Sequence, residues 1–293
     1  MGPATAGADA ERQLENQVNI RRFSAAALVS AALLVPVAAC GANGTGTADG
    51  TPDPATSSSP AIPADPKQAL LDSTREISKG NFRFTMSAAG ATATGMVHQP
   101  SRSAQMTMKF GQPSDDIYMN LDLIYVEPDS WVKTDLGGTA LRNVPGAKDL
   151  SSDKYYHIDK TKAEGIKDLQ FDFQQVDPAG SDLLTKAVVD VKATGDRSYS
   201  GTIDLSKAPD AGLVDADVVK ALGAEASKLP FQARLDEQGR LSELVIQVPA
   251  AGQNQAQELK VTYSDYGAAT TPTKPAPGQT QEAPAVIYDL FRN

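Results

Sequence analysis

Cys40 is the side chain in this sequence whose type and position specify the most definite chemistry. It closes the run Val37-Ala38-Ala39-Cys40, behind an apolar stretch from Ala25 to Val37 that follows Arg21 and Arg22. A thiol placed this way takes a diacylglyceryl group on sulfur, and signal peptidase then cuts on its N-terminal side. The charged, apolar and small-residue sections of a secretion signal precede it in the right order. The apolar section falls well short of the ~20 residues that a membrane-spanning helix needs. Residues 1–39 therefore read as a removed signal, and Cys40 as a lipidated anchor on the extracytoplasmic face of the cell membrane. Asp9, Glu11 and Glu15 are unusual ahead of such a signal, and a true start at Val18 would make residues 1–17 a mis-called start. Arg21-Arg22-Phe23 lacks the extended twin-arginine pattern, which points to general secretion.

Other groups capable of chemistry are scattered. His98 and His157 have no metal-ligand spacing to one another or to the cysteine. Asp115-Asp116, Asp168 and Asp172 can in principle supply a carboxylate pair for acid/base work, but each sits in a polar context where a solvated turn or strand face is the simpler account. No phosphate-binding glycine loop, nucleophile elbow or calcium loop occurs. The expectation is a protein without catalytic residues, metal or cofactor; a turnover abolished by substituting Asp115, Asp116 or the histidines would revive a hydrolase.

The formal net charge is -9, and the three arginines of the leader (Arg12, Arg21, Arg22) cancel its three acids, so the mature chain carries all of it. Such a surface repels phosphate backbones, which excludes nucleic acid and an anionic bilayer as electrostatic partners. Membrane attachment must then come from acyl chains, two or more of which hold stably. A single cysteine leaves no disulfide, so burial alone must stabilise the fold.

Residues 40–64 combine the lipidated N-terminus with a Gly/Thr/Ser/Pro tether too poor in apolar side chains to fold. One domain over 65–268 opens with the helix signal Asp65-Pro66 and the stripe Leu70, Leu71, Thr74, Ile77, stopped by Gly80. Period-two alternation then predicts strands: Phe82, Phe84, Met86; a weaker Ala91 to His98; Met106, Met108, Phe110; Met119, Leu121, Leu123, Tyr125; and Trp131 to Thr134 returning across the turn Glu127-Pro128-Asp129-Ser130. The middle reads as more helical, with Asp177-Pro178 before the stripe Leu183, Leu184, Ala187, Val188, a strand from Tyr199 to Leu205 and a short helix from Asp215 to Leu222. Phe231 to Leu235 and Leu244 to Val248 form a hairpin, and Leu259, Val261 and Tyr263 close the series. Residues 269–293 are a Pro/Thr-rich extension ending in an apolar tail expected to dock. The fold class is α+β, a mainly antiparallel sheet with helices packed on one face.

Four methionines stand among the seven inward residues Phe82, Phe84, Met86, Met106, Met108, Phe110 and Met119. Methionine fills irregular space and specifies packing poorly, as a lining for acyl chains must. An ordinary core accounts for any one of them; the cluster favours a cavity, with Leu121, Leu123 and Tyr125 as further lining and Trp131 either at its mouth or in the core.

The order of elements resembles the actinobacterial LppX/LprG-type lipoproteins, related in fold to the LolA and LolB lipoprotein carriers. The resemblance rests on Val37-Ala-Ala-Cys40, the tether, the opening helix followed by Asn81-Phe-Arg-Phe84, Tyr125 with Trp131-Val-Lys-Thr-Asp135, Leu235-Asp-Glu-Gln-Gly-Arg-Leu241 and Tyr263-Ser-Asp-Tyr-Gly267, and spans Asp65 to Gly267. It implies a strongly bent sheet, a half-open barrel with helices covering its concave face, around a cavity for the acyl chains of a lipid or glycolipid. It also implies carriage of that cargo between membrane and cell envelope. The competing reading is a structural or signalling envelope lipoprotein with a filled core and a protein partner.

Overall fold

The alternating segments become the strands of one open sheet in the computed structural model, which describes residues 62–88, 90–139, 145–166, 169–211, 216–252 and 254–292. Cys40, the signal and almost all of the tether lie outside the described residues, as does Asp168. The strands are β1 (Asn81–Ala88), β2 (Ala91–His98), β3 (Ser103–Phe110), β4 (Tyr118–Val126), β5 (Asp129–Gly137), β6 (Tyr155–His157), β7 (Val188–Gly195), β8 (Ser198–Ile203), β9 (Leu229–Leu235), β10 (Leu241–Val248), β11 (Gln257–Ser264) and β12 (Thr280–Glu282). Among the described residues four α-helices accompany them: α1 (Pro66–Ser73), α2 (Ser181–Lys186), α3 (Ala216–Leu222) and α4 (Ala285–Arg292). Strands dominate, with a few helices beside an open sheet, a composition compatible with the α+β class.

The 12 strands lie in the order β12-β6-β5-β4-β3-β2-β1-β11-β10-β9-β8-β7. All pair antiparallel except β12, which adds to β6 in parallel, so the sheet is mixed. The path explains the order. From β1 to β6 the chain meanders to one edge, residues 158–187 carry it to the opposite edge, and β7 to β11 meander back to lie beside β1. Residues 265–284 then return to β6.

Local sequence accounts for most boundaries. Asp65 caps α1 by accepting from the Gln68 N–H at 2.7 Å, with Pro66 in the first turn, where its missing N–H costs nothing. Gly80, at φ 64°, takes the left-handed conformation that turns the chain into β1. Two places differ from the sequence-based expectation. Val188 starts β7 rather than ending a helical stripe, because α2 stops at Lys186 and the β-branched run that follows pairs with β8. β6 and β12 carry no legible alternation, since three residues are too few to show a period.

Registers fix which side chains share a face. Phe82, Val97, Ala104 and Tyr125 stand opposite one another across β1 to β4, as do Phe84, Gly95, Met106, Leu123 and Val132 across β1 to β5. The next row is Met86, Ala93, Met108, Leu121 and Thr134, and the last is Ala88, Ala91, Phe110, Met119 and Leu136. This inner face joins Leu70 of α1, Leu184 of α2, Leu222 of α3, Ile287 of α4 and Leu169 and Phe173 of the crossover in one core.

Candidate ligand-binding face

The four rows of the inner face differ in how completely the rest of the chain covers them. Phe82 is 0% exposed and Val97, Ala104 and Tyr125 are all buried, so the first row is closed. Phe84, Leu123 and Val132 of the second row and Met86 and Leu121 of the third are buried too. Met106 and Met108, in the same two rows, are only half-buried, and so are Phe110, Met119 and Leu136 in the last. Thus ten candidate lining residues (Phe82, Phe84, Met86, Met106, Met108, Phe110, Met119, Leu121, Leu123, Tyr125) share one face. The thioether and phenyl side chains at its far end are partly reached by solvent.

Trp131 does not belong to that face. It pairs with Ile124 and with His157, one residue out of step with Val132, and therefore points from the opposite side of the sheet. Its burial there comes from the C-terminal extension: Lys274 lies over the indole with its ammonium 5.6 Å from the ring centroid, and the His157 ring centroid stands 5.6 Å away. The strand's parity, not the size of the side chain, decides its face. The same extension contacts Arg83 through Thr270, binds Asp129 with Lys274 at 2.6 Å and supplies β12. Lys274 donates to Asp129 and, with help from His157, holds that carboxyl below its usual range. In α4, Ile287 and Tyr288 are buried, and the Tyr288 hydroxyl accepts the Asp159 N–H at 2.9 Å.

The closed end is pinned by a polar cluster that sequence reasoning assigned to a helix cap alone. Asp177, in the crossover, accepts the Tyr263 hydroxyl at 2.6 Å and the backbone N–H groups of Ala179 and Asp182, both at 3.2 Å. Ser181 Oγ lies 2.8 Å from the same tyrosine oxygen. Tyr263 sits opposite Phe84 in the β1/β11 register, so the cluster ties the crossover to the inner face. Burial raises the Asp177 carboxyl above its ordinary value despite these donors, and burial beside Asp177 lifts the Tyr263 phenol well above its own. Ser181 is 0% exposed, which leaves no path for a substrate to reach its hydroxyl.

Thr134 stands out at the other end. It is 2% exposed, on the inner face beside Leu121 and one row from Met119 and Leu136, and its Oγ1 has no hydrogen-bond partner among the described residues. A buried hydroxyl left unpaired is costly, and a ligand acceptor would relieve it. Residue type alone could not flag this, because threonine is an ordinary strand residue.

A separate cleft of about 440 Å3 opens at the β4–β5 turn, between Tyr125, Asp129 and Ser130 on one side and Lys160, Leu169 and Phe171 on the other. Phe171 continues the aromatic wall, 5.5 Å from Tyr125 and 4.8 Å from Phe173 between centroids.

The remaining candidates for chemistry serve local structure. Asp115 accepts the Gln112 N–H at 2.9 Å and Asp172 the Gln174 N–H at 2.7 Å, both turn-stabilising bonds, and Asp116 accepts the Thr139 hydroxyl at 2.7 Å, which ties the β3–β4 loop to the segment after β5. His98 bonds Ser101 at 2.6 Å, and His157 lies between Asp129 and Glu282 at 3.4 and 3.2 Å. Among the described residues no group of three or more His, Cys, Asp or Glu is placed to hold a metal, and no helix is long and apolar enough to cross a membrane. Comparison with known proteins finds no match, either to a protein-family model or to a curated sequence.

Proposed function

We propose that this chain is a membrane-anchored lipoprotein that binds the acyl chains of a lipid or glycolipid against the inner face of its sheet and carries them between the membrane and the cell envelope. In this reading the sheet is a strongly bent half-open barrel, and helices cover its concave side. The observation that carries the proposal is the uneven cover of the inner face: a closed first row of Phe82, Val97, Ala104 and Tyr125, against half-buried Met106 and Met108 on β3 and half-buried Phe110, Met119 and Leu136 in the last row. Flexible thioethers at the uncovered end form a seam that hydrocarbon can part without breaking the core. Each buried methylene is worth ~0.8 kcal/mol, so about ten of them supply ~8 kcal/mol before ordering costs are subtracted. Thr134 gives such a ligand its one polar contact, its hydroxyl donating to an acyl ester or amide carbonyl at the edge of the seam. Cys40 supplies the attachment, and the tether the reach.

Native mass spectrometry of the full chain carrying Cys40→Ala, purified from its own host, is expected to show co-purified lipid, and the variant is expected to leave the membrane fraction while staying folded. The paired change Met106→Asp, Met108→Asp is expected to abolish uptake of a fluorescent fatty acid with the circular dichroism spectrum kept, because both side chains are half-buried. Loss of the folded spectrum, or unchanged uptake, contradicts the proposal. The closed end favours the second reading, a filled core with a protein partner in the envelope; protein free of lipid in both assays supports it.

A further inference from the structure

The two edges of the sheet are treated differently by the chain. At one, the C-terminal extension adds β12 to β6 and α4 follows. At the other, β7 has β8 on one side and, among the described residues, no strand on the other. Residues 189, 190 and 192–195 of this edge are exposed. Val189 is 51% exposed, the one large apolar side chain so exposed among the described residues. A bare edge strand is a row of unpaired backbone donors and acceptors, which another strand can complete.

We propose that β7 is the interface of a homodimer, in which two copies pair their β7 edges antiparallel about a two-fold axis through Val191. The occupant follows from the sequence of the edge. Two register shifts, between Val188 and Asp190 and between Ala193 and Gly195, bracket one regular stretch, Asp190-Val191-Lys192-Ala193. An axis at Val191 sets Asp190 of each copy opposite Lys192 of the other, twice. It sets Val191 against its own equivalent and Val189 beside Ala193. Asp190 and Lys192 pair with Thr202 and Ser200 and share the outer side of the sheet, while Val191, opposite Gly201, points inward. Charge therefore meets charge on one face and apolar side chain meets apolar side chain on the other. A lysine that repels most incoming strands is satisfied by this one.

The geometry also suits an anchored protein. A two-fold axis normal to the sheet keeps both inner faces on the same side. α1 packs against β7 and its Leu70 joins the inner-face core, so α1, which the tether precedes in sequence, lies on that side in both copies. The dimer stands apart from the lipid-carrier reading, since no inner-face cavity enters the argument.

Sedimentation equilibrium of the full chain carrying Cys40→Ala is expected to show a monomer–dimer equilibrium. Lys192→Asp replaces two attractive pairs with two like-charge pairs and is expected to weaken the dimer on the order of 10-fold or more, as is Asp190→Lys. The double variant Asp190→Lys, Lys192→Asp is expected to restore it, which separates the interface from any loss of the Thr202 bond that Asp190 makes at 2.5 Å. Val191→Cys in the same background is expected to cross-link symmetrically on mild oxidation. A monomer at every concentration, a dimer indifferent to the single charge changes, or a double variant that folds but stays monomeric overturns the proposal; where a charge variant does not fold, the Val191→Cys cross-link decides it.

Discussion

The closed and open ends of the inner face use the same strands, one or two turns of side chain apart, yet they solve different problems. At the closed end Phe173, Val176 and Leu169 of the crossover join Phe82, Val97 and Tyr125 in the core, and Asp177 bonds the crossover to Tyr263. Phe82 packs edge-on against Tyr263, their centroids 5.4 Å apart. At the open end methionine, which holds no fixed shape, stands where cover is incomplete. Full and partial cover thus lie along one set of strands.

This contrast can be broken by truncation. Phe82→Ala removes a ring with no solvent contact and is expected to cost about 3–5 kcal/mol in urea unfolding, whereas Met119→Ala, at the open end, is expected to cost about 1 kcal/mol or less. Equal losses would mean that the two ends are packed alike. Tyr263→Phe takes one donor from a half-buried carboxylate and is expected to cost about 1–3 kcal/mol, with unchanged fatty-acid uptake.

The pH dependence sharpens the same point. The folded-state pKa of Asp177 is raised, so its protonated form suits the fold; its stability contribution is fully present below the unfolded value and is lost as pH rises through the folded one. Asp177→Asn lacks this slope. The stability of the wild type relative to that variant is therefore expected to fall as the pH rises above about 4, read from urea midpoints taken at increasing pH; a flat difference would show that the three donors leave the carboxylate fully compensated. The smallest effect is expected behind the sheet. Lys274→Ala removes an exposed ion pair with Asp129 and a contact with Trp131, worth about 1 kcal/mol or less, and should appear as faster amide exchange in Thr280–Glu282 with little change in global stability.

The elements of the domain were largely legible from residue order. Alternation marked β1, β3, β4, β9, β10 and β11, and Asp65-Pro66 and Gly80 marked the first helix and its exit, because period, cap and left-handed turn are local properties of a few neighbouring residues. Ten of the inner-face candidates share that face for the same reason: parity along a strand is set by the chain alone.

Trp131 shows where that stops. Its strand was visible, but which of its two faces lay inward depended on the register against β4, and its burial on a segment more than a hundred residues away in the chain. The cluster of Asp177, Ser181 and Tyr263 is equally non-local, as are the unpaired hydroxyl of Thr134 and the bare edge at Val189. Residue order by itself determined the acidic charge and the alternating strands, since each is written in the side chains themselves. The tertiary structure decided which end of the inner face is covered, which polar groups find partners and which edge stays open, because cover, pairing and edges exist only once distant segments meet.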